Sequence, residues 1–239
     1  GTCSLTREIR AAMLRTQEHA LLEADDELLQ VLAAKNGTTV DDLLGEPEPS
    51  NLHGQLSLGD MEAVAALVRR SAALITLGLW EKSITDVGPL AKALEANVRL
   101  QGLYLQDNSI TDLGPLAKAL EVNTGLQVLW LSNNSITDLA PLAEALAVNT
   151  TLQTLRLGEN SITDVGPLAT ALEVNTGLRE LWLDSNSISD AGPLASAIEA
   201  NTALEGLIMR GNPLTAASKE AVRQADTRRQ LPLGCLRLD

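Results

Sequence analysis

Residues 100–125 read LQGLYLQDNSITDLGPLAKALEVNTG, and most of the chain repeats this stretch with small changes. The leucine that opens each copy returns every 26 residues without insertion or deletion: Leu74, Leu100, Leu126, Leu152, Leu178 and Leu204. A fixed period of this length is typical of solenoids, in which each repeat buries its apolar side against its neighbours. The sequence therefore predicts one continuous repeat domain.

The composition predicts an aliphatic core and a protein partner. Of 239 residues, 45% are hydrophobic, but rings come only from three Trp, one Tyr and no Phe. The formal net charge of −13 argues against nonspecific binding to nucleic acid or to an anionic membrane, since neither attracts an acidic protein. The same charge favours a basic partner, and the acidic residues beside the aromatic positions of the repeats favour a partner with both basic and apolar groups.

The cysteines, histidines and hydropathy favour a cytoplasmic protein without a metal or cofactor. Cys3 and Cys235 lie at opposite ends, so we expect free thiols in a reducing compartment, with Cys235 a small buried residue. The two histidines, His19 and His53, lack neighbours at metal-ligand spacing. No apolar run is long enough for a signal peptide or a membrane span.

The N-terminal fifty residues differ from the repeats and are predicted to be helical. Asp25 and Asp26 are expected to form the N-cap of a helix that ends at Lys35, before a short helix over 40–44 and a linker over 45–50. Residues 1–50 are interpreted either as a cap on the open end of the solenoid or as a docking or dimerisation module. Residues 51–73 resemble a degenerate first repeat, with a strand over 54–58 and a helix from Asp60 to Arg70.

Within one repeat, each recurring letter has a predicted structural role. The leucines of L-x-x-L-x-L alternate as in a short strand, and Asn108 satisfies backbone groups where the chain leaves that strand. Asp112 is expected to be the N-cap of a helix with Pro115 in its first turn. Asn123 is expected to end the helix in a left-handed conformation.

The sixth copy departs from the others and predicts a C-terminal end. Its Asn212-Pro213-Leu214 replaces the usual turn, and a more charged helix follows over 216–228. Six repeats are therefore assigned to residues 74–225 and a C-terminal cap to residues 226–239, whose tail alternates weakly.

The consensus L-x-x-L-x-L-x-x-N-x-I-T-D-x-G-P-L-A-x-A-L-E-x-N-T resembles the leucine-rich repeat family over about residues 74–225. It is most similar to the strand-plus-helix subtype of ribonuclease inhibitors and nucleotide-binding, leucine-rich-repeat immune receptors. The resemblance implies an α/β solenoid: a short curved arc with a parallel sheet on the concave face, helices on the convex face and a helical N-terminal cap. Because its repeat is shorter than is usual for that subtype, the helices should be short.

The residues between the strand leucines are predicted to face the concave surface, and they contain every aromatic residue of the chain. Exposed Trp, Tyr and Arg dominate interface energetics, so these columns predict a binding strip. In it, Arg156 is expected to stack between Trp130 and Trp182 on consecutive strands. The predicted partner-binding residues are Trp80, Tyr104, Gln106, Trp130, Arg156, Trp182, Asp184, Ile208 and Arg210.

Other interpretations stay open. The aromatic column could be a cross-strand ladder that only stabilises the sheet. Leucine-rich repeats also occur in GTPase-activating and actin-capping proteins, and the Ala-Leu-Glu-x-Asn-Thr helix ends resemble those of tropomodulins. A self-associating scaffold is a further alternative, so the chain is expected to be a monomer or a weak dimer. Catalysis is not predicted, because the repeats contain no phosphate-binding glycine loop and no histidine.

Overall fold

The computed structural model describes residues 23–35, 40–45, 57–229 and 234–239. In these ranges, three helices come first, strands and helices then alternate, and all the strands join one parallel sheet in chain order. The strands are β1 (Thr76–Gly78), β2 (Gly102–Tyr104), β3 (Val128–Trp130), β4 (Thr154–Arg156), β5 (Glu180–Trp182), β6 (Gly206–Ile208) and β7 (Cys235–Arg237). This confirms the predicted α/β solenoid.

Short helices follow the strands, as the repeat length predicts. A first helix, α1, is described over residues 23–35. The others are α2 (Val40–Gly45), α3 (Leu58–Arg70), α4 (Gly88–Leu94), α5 (Gly114–Val122), α6 (Ala140–Val148), α7 (Gly166–Val174), α8 (Gly192–Ala200) and α9 (Ala216–Arg228). No helix in the described ranges is long and apolar enough to cross a membrane.

The core lies between the sheet and the helices and is aliphatic. In the second repeat, Leu103 and Leu105 of the strand segment are fully buried, and Leu116 and Ala117 of α5 are almost so. Burying a leucine side chain contributes about 2 kcal/mol relative to leaving it exposed. Because the first five repeats supply the same set, and Met209 and Val222 extend it in the sixth, the core continues from one repeat to the next.

An outer ladder of asparagines joins the turns after the strands, as predicted. Asn134 donates through Nδ2 to the carbonyl of Leu105 in the preceding repeat, at 2.9 Å, and to that of Leu131 in its own repeat. Its Oδ1 accepts from the backbone N–H of Ile110. The side chain therefore satisfies backbone groups that the turn leaves without partners. The same arrangement recurs at Asn108, Asn160, Asn186 and Asn212.

A second, inner ladder corrects the role expected for Asn123. This residue has extended backbone (φ −74°, ψ 131°) rather than the left-handed conformation. Its buried Nδ2 donates to the carbonyls of Leu94 and Asn97 in the preceding repeat, and its Oδ1 accepts from the N–H groups of Gly125 and Leu126. Equivalent bonds are made by Asn149, Asn175 and Asn201. Asn123 therefore joins neighbouring repeats through its side chain and does not end the helix by adopting a left-handed backbone conformation.

The prediction that Asp112 is an N-cap is wrong by one residue. The N-cap position is Leu113, which has no side-chain cap, while Asp112 precedes it and accepts through Oδ1 from the N–H of Gly114 at 2.8 Å. The carboxylate still accepts a hydrogen bond from an N–H of the first helical turn, which is the role expected of an N-cap side chain. Pro115 lies in the first turn, where a proline removes no helical hydrogen bond.

The N-terminal helices pack on the repeat core, and three sequence expectations change there. Residues 23–35 are all helical, so Asp25 and Asp26 lie inside α1 and are not its N-cap. The N-cap of α3 is Ser57, with Asp60 three residues later completing a capping box. Leu58 begins this helix rather than ending a strand.

Several predicted features lie outside the described ranges. They are residues 54–56 of the predicted strand, the predicted linker beyond Gly45, and Cys3, His19 and His53.

Ion pairs and apolar contacts hold α1 against α3. Arg69 binds the buried carboxylate of Asp25 through Nε and Nη2, and Arg70 binds the more exposed Asp26 at 2.7 Å. Leu29 and Leu32 of α1 are fully buried in the common core.

Ser71 shows that residues before Leu74 already follow the repeat register. It lies 26 residues before Asn97, the first asparagine of the inner ladder, and its Oγ accepts from the N–H groups of Ala73 and Leu74. The hydroxyl donates to the carbonyl of Leu44 in α2. A serine thus replaces the ladder asparagine where the array meets the N-terminal helices.

At the other end, Arg229 closes the inner ladder. Its Nη2 donates to the carbonyls of Asn201 and Leu204, both at 2.8 Å, although the residue is only 6% exposed. Burial lowers the pKa of this guanidinium, and the nearby carboxylate of Asp226 opposes that shift. Strand β7 pairs with β6, and Cys235 within it is half-buried rather than buried as expected. Its position in the strand corresponds to Val128 and Thr154, which lie on the exposed face of the sheet and are also half-buried.

Candidate functional site

A column of side chains crosses the exposed face of the sheet at the last residue of each strand. The strands pair without a register shift, so these residues are direct neighbours in the sheet. The column contains Gly78, Tyr104, Trp130, Arg156, Trp182, Ile208 and Arg237. The strand alignment predicted from the repeat period is therefore confirmed.

The centre of the column is a continuous stack of rings and one guanidinium. The rings of Tyr104 and Trp130 meet edge to face, with centroids 4.9 Å apart and planes at 85°. The Arg156 Cζ lies 4.1 Å from the ring centroid of Trp130 and 3.9 Å from that of Trp182. Aromatic and cation–π contacts of this kind each contribute about 1 kcal/mol. The predicted insertion of Arg156 between two indoles is observed.

Glycines give the outer rings their space. A Cβ on Gly78 would lie 1.9 Å from the Trp80 ring, so that indole rests directly on the glycine of β1. A Cβ on Gly102 would approach the Tyr104 ring within 3.1 Å. Trp80 is 36% exposed and lies over the β1 end of the column, although its sequence offset placed it in a different column.

Carboxylates surround the Arg156 stack without pairing with it. Asp184, half-buried, lies over Gly158, where a Cβ would come within 2.6 Å of its Oδ1. Glu180 accepts through Oε2 from the Trp182 Nε1 at 3.3 Å. Both acids belong to the β5 segment, one on each side of Trp182, so the site combines one cation with two flanking anions.

The C-terminal end of the predicted strip differs from expectation. Ile208 is only 5% exposed, so little of its side chain is accessible to a partner, contrary to the exposed position expected for it. It lies between Trp182 and Arg237, and pairing of β7 beside β6 covers it. Arg210 is exposed as predicted, and Arg237 extends the column. The tail contains no copy of the repeat, so only its weak alternation indicated this strand.

Three polar atoms in the strip are shielded from solvent and have no hydrogen-bond partner among the described residues: Gln106 Oε1, Trp130 Nε1 and Arg156 Nε. Buried polar groups are nearly always paired, and each unpaired one costs about 1–3 kcal/mol. Among the described residues, one further buried side-chain atom, Arg229 Nη1, lacks a hydrogen-bond partner. Three of the four such atoms therefore lie in the strip on the exposed face of the sheet.

The described residues contain no group of three or more His, Cys, Asp or Glu arranged to hold a metal ion. The recurring aspartates bind the first turns of their helices instead, as Asp112 and Asp164 do at Gly114 and Gly166. The chemistry that the strip offers is recognition by ring faces, hydrogen-bond donors and charge.

The family of the repeats follows from comparison with known sequences. Residues 98–144 and 150–196 each match the model described as Leucine Rich repeats (2 copies). The array is made of leucine-rich repeats. These repeats support a protein-interaction module in general terms. The ribonuclease-inhibitor-like subtype stays a prediction.

Solved leucine-rich repeat structures similar to this chain include two internalins of Listeria monocytogenes. Internalin C2 is 26% identical, with a TM-score of 0.49, over 80% of this chain and 86% of the internalin. A second internalin (inlF) is 24% identical, with a TM-score of 0.49, over 80% of this chain and 57% of that chain. No curated protein matches the sequence.

Proposed function

We propose that this leucine-rich repeat protein binds a protein partner on the exposed face of its sheet, without catalysis, through the strip around Arg156. The observation that carries the proposal is the stack of Tyr104, Trp130, Arg156 and Trp182 on four consecutive strands. Rigid aromatic side chains lose little conformational entropy on binding, and Trp, Tyr and Arg dominate interface energies. Gln106, Asp184, Trp80 and Arg210 border the stack as polar or apolar contacts.

The stack is already ordered before a partner binds. All four of its members have both neighbours in the column fixed by strand pairing, and Arg156 is restrained on both faces of its guanidinium. A partner therefore meets side chains whose rotamers are already selected, and preorganisation lowers the entropic cost of association. Acidic residues nearby, including exposed Glu180 and half-buried Asp184, favour a partner with basic and apolar groups.

The test is affinity capture from the source organism with the native protein and a Trp130→Ala/Trp182→Ala variant. The native protein should retain specific partners that the variant loses, because the variant removes both indoles beside Arg156. A Val122→Ala/Val148→Ala variant serves as a matched control, since these valines are 59% and 62% exposed on the helices. It should retain the partners.

Circular dichroism and thermal unfolding of each variant separate binding from folding. If the tryptophan variant stays folded and captures the same proteins as the native chain, the proposed binding face is wrong. If that variant unfolds, the column is a structural ladder that stabilises the sheet. Milder Trp130→Leu and Trp182→Leu variants then test binding alone.

The regulatory and self-associating alternatives have their own measurements. Stimulated GTP hydrolysis in a GTPase panel, lost on Arg156→Ala, would favour a GTPase-activating role, and altered pointed-end actin assembly would favour a tropomodulin-like one. Deletion of residues 1–50 followed by measurement of mass in solution tests self-association; a monomer before and after deletion removes that alternative.

A further inference from the structure

We infer that the partner presents a single carboxylate to Arg156, from an aspartate or glutamate whose neighbours are basic or apolar. The inference rests on the proposed function, since it concerns the same face of the sheet. It adds the chemistry by which the central residue of the strip is recognised.

The geometry of the stack leaves Arg156 only one way to bind. Indoles lie at 4.1 Å and 3.9 Å from its Cζ, on either side, so both faces of the guanidinium are closed. Its N–H donors all lie in the plane of the group, between the two rings. A planar acceptor with two oxygens fits this direction, because a carboxylate accepts two parallel hydrogen bonds from one guanidinium.

Arg156 also lacks an acidic partner in a chain where acids are abundant. The sequence has 31 Asp and Glu against 18 Lys and Arg. Arg179, Arg223 and Arg228 each bind a carboxylate. Arg99, Arg210 and Arg237 make no ion pair among the described residues either, but they are exposed, whereas Arg156 is half-buried. No hydrogen bond or ion pair reaches the Arg156 side chain from the described residues, and its Nε is shielded from solvent.

The two nearest candidate acids in the strand register, Glu180 and Asp184, make no ion pair with Arg156 among the described residues. Glu180 accepts from the Trp182 indole N–H, and the carboxylate of Asp184 is placed over Gly158 of the neighbouring repeat. The described residues therefore leave the guanidinium of the stack without a direct ion pair. A half-buried guanidinium between apolar rings gains more from a charge-assisted hydrogen bond than an exposed one does.

Glu180 and Asp184 determine which anion can bind Arg156 and which side chains can surround that anion. Glu180 and Asp184 repel a multiply charged phosphate, as does the net charge of −13, whereas one carboxylate adds a single negative charge. The same two acids attract basic side chains on each side of that carboxylate. The occupant is therefore a peptide segment of a protein with one central acid and basic or apolar neighbours.

Selection from a random-peptide phage library on the immobilised full-length protein tests this inference. Enriched peptides should share one Asp or Glu with basic or apolar neighbours. A synthetic copy of the most enriched peptide is then titrated calorimetrically against the native protein, Arg156→Lys and Arg156→Met. We expect Kd to rise by about thirtyfold or more for Arg156→Met, and by about tenfold for Arg156→Lys, which keeps the charge but loses the planar fork.

Two controls make the measurement specific. Arg99→Met removes an exposed arginine outside the strip and should leave Kd unchanged. Replacing the central acid of the peptide by its amide should weaken binding to the native protein but not to Arg156→Met, because the two changes remove the same contact. Circular dichroism confirms that each variant is folded.

The outcomes separate the inference from the proposed function. If no acid-containing peptide is enriched, the carboxylate inference is wrong. The inference is also wrong if peptide binding is lost with Trp130→Ala/Trp182→Ala but not with Arg156→Met, although that result still supports the binding face. If selected peptides bind equally well to all strip variants, the binding face itself is wrong.

Discussion

Asn149 donates a hydrogen bond from its side-chain amide to the backbone carbonyl of Leu120, 2.7 Å away in the preceding repeat. The same side chain donates to the carbonyl of Asn123 and accepts from the N–H groups of Thr151 and Leu152. Asn149 is only 4% exposed. One buried amide therefore satisfies four backbone groups and joins two repeats.

Replacing this amide should strongly destabilise the array. Asn149→Ala leaves buried carbonyl and N–H groups without partners, and we expect the free energy of unfolding in urea to fall by about 3 kcal/mol. Thr150→Ala is the matched control, because its side chain is exposed and should change stability by no more than about 0.5 kcal/mol. Equal stability of the two variants would show that the inner ladder contributes little.

The two ion pairs between α1 and α3 should differ in energy although they have the same spacing in sequence. Asp25 is 2% exposed and binds Arg69, whereas the carboxylate of Asp26 is 54% exposed and binds Arg70. Asp25→Ala leaves a partly buried guanidinium unpaired, and we expect a loss of about 2–4 kcal/mol in urea unfolding. Asp26→Ala should cost about 0.5 kcal/mol.

A double-mutant cycle over Asp25 and Arg69 isolates their interaction from other effects of each change. If the cycle gives no coupling, or if Asp25→Ala costs no more than Asp26→Ala, α1 is held by its apolar contacts alone. Leu29 and Leu32 would then provide the attachment.

Stability should fall in acid through Asp60. Burial raises its pKa, but hydrogen bonds from Lys35 Nζ and from the side chain and backbone of Ser57 outweigh this, so the pKa lies below its ordinary value of 3.8. The folded state thus binds the proton more weakly than the unfolded state. The resulting stabilisation is present above pH 3.8 and is lost as pH falls through the folded-state pKa.

Urea unfolding at a series of pH values checks this prediction. Asp60→Asn should be about 1 kcal/mol less stable than the native protein at pH 7, and the difference should narrow as pH falls below 3.8. Glu62→Gln changes an exposed carboxylate on the same helix and is the control. A difference between native protein and Asp60→Asn that stays constant with pH would contradict this role of Asp60.

Much of the fold and site could be predicted from sequence because their determinants recur. The leucine spacing predicted the strands and the core, and Asn108 with its copies predicted the outer ladder. Since a constant repeat length keeps equivalent positions in register, the sequence also predicted that Trp130, Arg156 and Trp182 would be neighbours. Their stacking at about 4 Å is confirmed; their role in binding stays a prediction.

Other features depended on contacts between residues far apart in sequence. Asp25 looked like a helix start because a short acid often is one, but its position is determined by Arg69. The position of Ile208 within its repeat predicted an exposed side chain, but strand β7, formed by the non-repeating tail, covers it. Asn123 looked like a local helix terminator, whereas its partners lie in the preceding repeat.

The sequence by itself determined the period, the strand register, the aliphatic core and the alignment of the aromatic column, because each follows from spacing along the chain. Only the tertiary structure decided which polar groups are satisfied. It showed that Glu180 accepts a hydrogen bond from the Trp182 indole, that Asp184 lies over Gly158 and that Arg156 is stacked without an acidic partner. The reason is physical: spacing determines which residues are neighbours, but side-chain orientation and burial determine which hydrogen bonds form.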